Sequence, residues 1–144
     1  MKRIASALVV PGLLAALMLV VPVASASDKP VARKLVEIYR IAPGQHVAFL
    51  EMIARGDEAN RLAGLPPREL YVHQDGASWD FMLIQPAETP KDKAAALDAA
   101  WDKLGLPSGV DFFCEFRKFI LEHTDTFVLG PTSAVEYLAG RAKR

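Results

Sequence analysis

Apolar and polar positions recur along the chain with two different periods, and the change from one to the other marks out its elements. Leu35 to Ala42 (LVEIYRIA), rich in β-branched and aromatic residues and stopped by Pro43-Gly44, predicts a first strand. From Gln45 to Leu62 the apolar residues Phe49, Leu50, Ile53, Ala54 and Leu62 fall at helical spacing, which predicts an amphipathic helix ending near Gly64-Leu65-Pro66-Pro67. Gly56 in its middle costs that helix about 1 kcal/mol relative to alanine. Arg68 to Asp75 and Ser78 to Gln85 read as two strands joined by Gly76-Ala77, a loop that starts with the glycine a type II′ turn prefers. Thr89-Pro90 offers a cap and a first-turn proline to a helix carrying Ala94, Leu97, Trp101 and Leu104, closed by Gly105. A third helix is expected from about Val110 to His123, with Asp111, Glu115, Lys118 and Glu122 on one charged stripe and phenylalanines over most of the rest. Thr124 to Leu129 suits a fourth strand, and Ser133-x-x-Glu136 matches the capping box of a short terminal helix.

The first residues carry a different signal. Lys2 and Arg3 precede an apolar run from Ile4 to Val23, followed by Ala24-Ser25-Ala26, the small-x-small pattern of a signal peptide cleaved after Ala26. The run is longer than the ~7–15 residues usual for such a segment and near the ~20 that span a bilayer, so an N-terminal membrane anchor is the alternative. Pro11, Gly12 and Pro22 favour cleavage. The chain then divides into a leader (1–26), a short polar lead (27–34), an α+β domain (35–130) and a C-terminal extension (131–144), and the expected location is periplasmic or secreted.

Composition narrows the classes further. In 144 residues, 51% are apolar and 17 basic side chains balance 17 acidic ones, which fits one folded domain and excludes a disordered chain. Losing Lys2 and Arg3 with the leader tips the balance to net acidic, so neither nucleic acid nor an anionic membrane is an expected partner. A single cysteine, Cys114, rules out an internal disulfide framework; its expected place is the core, the alternative being a pairing between chains.

Written as strand, helix, strand, strand, paired helices, strand, the order over residues 35–130 resembles the ferredoxin-like half of the dimeric α+β barrel superfamily. The likeness rests on element order, the Pro43-Gly44 entry into the first helix and the central hairpin. It implies a ferredoxin-like βαββαβ fold with an antiparallel four-stranded sheet, a split second helix and a homodimer. Small monooxygenases, lactone isomerases and haem proteins share that fold, and it often carries few polar groups in an aromatic-lined cavity.

No G-x-S-x-G, H-E-x-x-H, C-x-x-C or glycine-rich phosphate loop is present, so candidate chemistry is placed by strand geometry. A two-residue turn at Gly76-Ala77 sets His73 opposite Asp80, Tyr71 opposite Met82 and Val72 opposite Phe81. Alternation then puts Leu70, Val72, Trp79, Phe81 and Leu83 on an apolar face and Tyr71, His73, Asp80 and Met82 on a mixed one. With Val36 and Ile38 assigned to the apolar face, Glu37 and Tyr39 join the mixed set. In that arrangement Asp80 orients His73 as a general base, with Tyr71, Tyr39 and Glu37 around one pocket. A cross-strand surface pair is the plainer account of His73 and Asp80. Arg117 interrupts an apolar arc of the third helix and is placed to bind a ligand carboxylate or enolate, or simply to cover apolar surface with its stem. His123 is expected at a helix C-terminus, and His46, His73 and His123 share no metal-binding spacing, so no metal site is expected.

Three functions stay open on these residues. One is an exported small-molecule protein, a cofactor-free monooxygenase or isomerase using His73. A second is a non-enzymatic dimeric binding or assembly module, and a third is a haem-binding protein. A helix-free sheet face carrying Tyr39, Tyr71, Met82 and Ile84 would need a twofold partner to cover it.

Overall fold

The computed structural model of the chain describes residues 31–76 and 78–141. The leader, its cleavage site and its possible anchor role lie outside the described residues. The elements run β1 (Arg33–Ile41), α1 (His46–Leu62), β2 (Glu69–Val72), β3 (Phe81–Pro86), α2 (Lys91–Lys103), α3 (Gly109–Phe116), β4 (Ile120–Leu129) and α4 (Ala134–Arg141). The four strands form one antiparallel sheet in the order β2-β3-β1-β4. This is the ferredoxin-like α+β fold with its second helix split into α2 and α3. β1 begins at Arg33, two residues before the Leu35 start expected from the sequence pattern.

The hairpin register is the expected one, with Tyr71 opposite Met82 and Val72 opposite Phe81, but the strands are shorter than expected: β2 stops at Val72 and β3 starts at Phe81, so neither runs up to the glycine bend. Beyond the strand ends His73 N–H still donates to the Asp80 carbonyl at 3.0 Å, and the tip bends at Gly76 with φ of 103°. β1, however, presents the opposite set of side chains to the helices. Glu37 lies opposite Leu83 and Tyr39 opposite Phe81, and partners in an antiparallel pair point to the same side. Glu37 and Tyr39 therefore lie beneath the helices, while Val36 and Ile38 share the helix-free face with Met82, Ile84 and Tyr71. Both alternate sets in β1 are rich in apolar side chains, so β1's own pattern suits either orientation. The aromatic layer decides it: Phe49 of α1 stacks on Phe81 at 5.5 Å and packs on Tyr39 at 5.0 Å. Those residues, with Ile41, Ile53 and Leu83, make the core. A smaller cluster of Ala59, Ala100 and Leu106 seats α2 on α1.

Three expectations for the second half of the chain are corrected. The third helix ends at Phe116, not His123, because the peptide N–H groups of Lys118 and Phe119 turn back onto the carbonyls of Glu115 and Phe116 at 3.1 Å each. Ile120 then starts a strand against β1, and the charged stripe divides, with Glu122 pairing across strands to Arg40 at 3.2 Å. Cys114 is exposed. It lies about 200° around the helix from both Phe112 and Phe116, which turn inward, so the same geometry turns Cys114 outward. Thr89 does not cap α2, whose N-cap is Pro90 without a side-chain bond. The terminal capping box forms in full: Ser133 N–H donates to Glu136 Oε2 at 2.8 Å and Glu136 N–H to Ser133 Oγ at 3.2 Å. The α4 helix it starts leaves Val135 and Leu138 exposed.

Candidate functional site

β1 and β4 are neighbours, and their register places two polar pairs side by side beneath the helices: Glu37 opposite Asp125 and Tyr39 opposite His123. α3 roofs this patch with Phe112 and Phe116, and α1 walls it with Ile53 and Gly56. Between them lies a cavity of about 180 Å³. Glu37, Tyr39 and His123 on its floor belong to a connected polar set. The Tyr39 hydroxyl donates to Glu37 Oε1 at 2.8 Å, Gln85 Nε2 donates to Glu37 Oε2 at 2.8 Å, and the His123 ring stacks on Tyr39 with centroids 5.8 Å apart.

Burial sets the protonation behaviour here. It pushes the Glu37 carboxyl above the usual carboxylate range, with the Asp125 charge adding to the effect, while hydrogen bonds from Tyr39 and Gln85 and the Arg68 charge pull against it. Burial, and then the charge of Glu37, likewise raise the Tyr39 phenol well above its ordinary value. A carboxyl held in this way is a candidate acid–base group. It also carries a stability consequence. An acid whose pKa is higher folded than unfolded stabilises the fold while protonated, and that contribution is lost as pH rises through its folded pKa. Glu37→Gln is therefore expected to gain in melting temperature over the parent as pH rises from 4 to 9, with the two converging in acid. Parallel curves across that range would remove the raised carboxyl.

Two arginines reach the cavity, by different routes. Arg117 is the residue after α3, exposed, and sits at the rim. Arg68 comes from the segment between Pro66-Pro67 and β2, and its guanidinium threads beneath α1: Nε donates to Asp57 Oδ1 at 2.7 Å and Nη2 to the Ile53 carbonyl at 2.8 Å. Gly56 makes that route possible, since a Cβ there would stand 2.5 Å from Arg68 Nη2. The helix-weakening glycine is thus the slot for a partly buried cation.

Of the residues singled out from sequence, Glu37, Tyr39 and Arg117 come together here, whereas His73, Asp80 and Tyr71 do not line this cavity. The expected grouping of all five strand residues around one pocket is corrected by the facing of β1. Tyr71 is exposed on the helix-free face, its hydroxyl 3.2 Å from Glu69 Oε2. His73 and Asp80 share a more open hollow at the hairpin tip, but Asp80 does not orient His73. Its Oδ2 accepts from the Ile41 N–H at 2.6 Å and its Oδ1 lies 3.3 Å from His46 Nε2, and the first of these bonds holds its carboxyl below the usual range. The His73 ring packs on Trp79 at 4.8 Å, with Nε2 buried and unpartnered among the described residues. His123 lies on β4, not at a helix end. No group of three metal-ligating side chains forms among the described residues.

No protein-family model and no curated protein matches this chain. Among solved structures it is similar to a NIPSNAP family protein of Agrobacterium tumefaciens, at 16% identity over 76% of this chain and 93% of that one, with a TM-score of 0.47. A second Agrobacterium tumefaciens protein aligns at 14% identity over 71% of this chain and 95% of that one, TM-score 0.46. An antibiotic biosynthesis monooxygenase-like protein of Chloroflexus aurantiacus aligns at 23% identity over 70% and 96%, TM-score 0.33.

Sequence reasoning did not single out Arg68, Gln85 or Asp125 and placed His123 elsewhere. The signal available for the last two was their spacing: His123 and Asp125 alternate on β4 as Glu37 and Tyr39 do on β1. For Arg68 the only hint was a glycine in the middle of an otherwise regular helix.

Proposed function

We propose that this chain is an exported small-molecule protein that transfers protons in the cavity between sheet and α3, with Glu37 as the acid–base group. The observation that carries this reading is the hydrogen-bonded Tyr39–Glu37 pair on the floor of an aromatic-roofed cavity, with Gln85 bonding Glu37 from outside the lining. In the forward step the Glu37 carboxylate takes a proton from a carbon acid. The C–H bond breaks, an O–H bond forms, and the electron pair moves onto the neighbouring carbonyl to give an enolate. The guanidinium at the rim, Arg117, offsets the charge that develops on oxygen. In a β,γ-unsaturated ketone the enolate extends into a dienolate, and returning the proton from Glu37 to the γ-carbon moves the double bond into conjugation with the carbonyl and completes an isomerisation. Export is read from the Lys2-Arg3 start, the apolar run and the Ala-Ser-Ala site.

Haem fits this site poorly. A cavity near 150 Å³ holds one benzene ring, and the four-pyrrole macrocycle is several times larger than the ~180 Å³ here.

The test is hydrogen exchange of single-ring aryl ketones in D₂O, followed by proton NMR. Loss of the α-hydrogen signal is expected to run about 10²–10⁴ times faster with protein than in buffer. Glu37→Gln is expected to lose the acceleration and His73→Gln to keep it. Equal rates in Glu37→Gln and parent would remove Glu37 from the chemistry, and no acceleration for any ketone would favour the non-enzymatic binding module.

The same reading includes a twofold dimer. The helix-free face has an apolar centre of Val36, Ile38, Met82 and Ile84, and each end is closed by an ion pair, Lys34 with Glu69 and Arg40 with Glu122. Opposite charges in equal number let two copies meet without net repulsion.

A further inference from the structure

The polar half of the cavity says what its ligand carries. Arg68 is one of its lining residues, and the guanidinium is fixed rather than solvated: its side chain is 16% exposed and paired with Asp57. Two of its three nitrogens are engaged, Nε by Asp57 and Nη2 by the Ile53 carbonyl. Nη1 has no hydrogen-bond partner among the described residues. Holding a cation this way asks α1 to accept a glycine at position 56, since any side chain there would meet the guanidinium. Arg117 adds a second guanidinium at the rim.

The other half is aromatic. Phe112 stacks on Phe116 at 5.2 Å, and Phe116 meets the Tyr39 ring edge-on at 5.7 Å. A volume of about 180 Å³ slightly exceeds the ~150 Å³ that holds benzene, which leaves room for one ring and a small substituent.

We propose that the ligand is a single-ring aromatic carboxylate, its ring against Phe112, Phe116 and Tyr39 and its carboxylate on Arg68 Nη1, with Arg117 closing from the rim. This rests on the reading of the cavity as the ligand site and adds the chemical class. A charge-assisted contact to the free Nη1 supplies the discrimination, and Gly56, which lines the cavity and leaves room for the guanidinium, becomes a specificity-determining position.

Calorimetric titration of the full mature chain with phenylacetate, benzyl alcohol and acetate separates the claims. Phenylacetate is expected to bind about ten- to a hundredfold more tightly than benzyl alcohol, with acetate weaker than either. Arg68→Met is expected to abolish the preference for the acid. Because that change strands Asp57 and can unfold the chain, Gly56→Ala, which keeps the charge but displaces it, and Arg117→Gln at the exposed rim serve as second variants, each expected to weaken phenylacetate selectively. If phenylacetate and benzyl alcohol bind equally and the folded variants change neither, the carboxylate assignment fails while the ligand site stands. If acetate matches phenylacetate, the aromatic assignment fails. If none binds, the ligand site itself fails and this inference with it.

Discussion

Replacing Phe49 by alanine is expected to lower unfolding stability by about 3–5 kcal/mol, the range for emptying a buried aromatic site. Phe49 is fully buried and touches three other rings: Tyr39 at 5.0 Å, Phe81 at 5.5 Å and Phe116 at 5.9 Å. It therefore ties α1, two strands and the roof helix α3 into one unit. Domains of this size hold about 5–15 kcal/mol in total, so the variant is expected to unfold at much lower urea. Phe49→Leu keeps most of the volume and is expected to cost less than half as much. A loss under about 1 kcal/mol for the alanine variant, in urea melts followed by circular dichroism, would mean that the ring stack is not the centre of the core.

The second large effect is on assembly. Ile38 lies at the middle of the helix-free face, opposite Met82 on one side and Thr124 on the other. In a twofold interface each substitution occurs twice, so Ile38→Glu adds two carboxylates to the face. At about 2 kcal/mol or more per buried, unpaired charge, the dimer is expected to weaken about a thousandfold. Sedimentation equilibrium is expected to show a dimer for the parent and a monomer for the variant at micromolar concentration. A monomeric parent, or a variant that dimerises as well as the parent, would take away this role of the sheet face.

How much of this was legible in advance depends on which interactions are local. The hairpin register was legible because β2 and β3 are adjacent in sequence around a glycine bend, so the pairs Tyr71 with Met82 and Val72 with Phe81 follow from a short local connection, although the strands themselves end before it. The limits of α1 were similarly local, with a Pro-Gly entry and a glycine-proline exit. The facing of β1 was not, because Val36 and Ile38 are as apolar as Leu35, Tyr39 and Ile41, and only a residue from another element, Phe49, distinguishes the two sets. The end of α3 was obscured for a related reason. Phe119, Ile120 and Leu121 are apolar under either a helical or an extended period, and pairing with β1 decides between them.

The site shows the same division. Glu37, Tyr39 and Arg117 were identifiable as polar groups set among apolar ones. The pairing of Asp80 with His73 was inferred from their positions across the hairpin, but Asp80 has better partners from elsewhere, a backbone N–H of β1 and the His46 ring of α1. Arg68 reads as an ordinary loop arginine until the path of its side chain beneath Gly56 is seen.

Crystals of the protein soaked with a set of single-ring fragments, neutral and acidic, address the central claim most directly. Ordered density is expected between Tyr39 and Phe116, with Glu37 and Tyr39 still joined beneath it. Fragments gathered only in the hollow beside His73 and Asp80, with that cavity empty across the whole set, would contradict it.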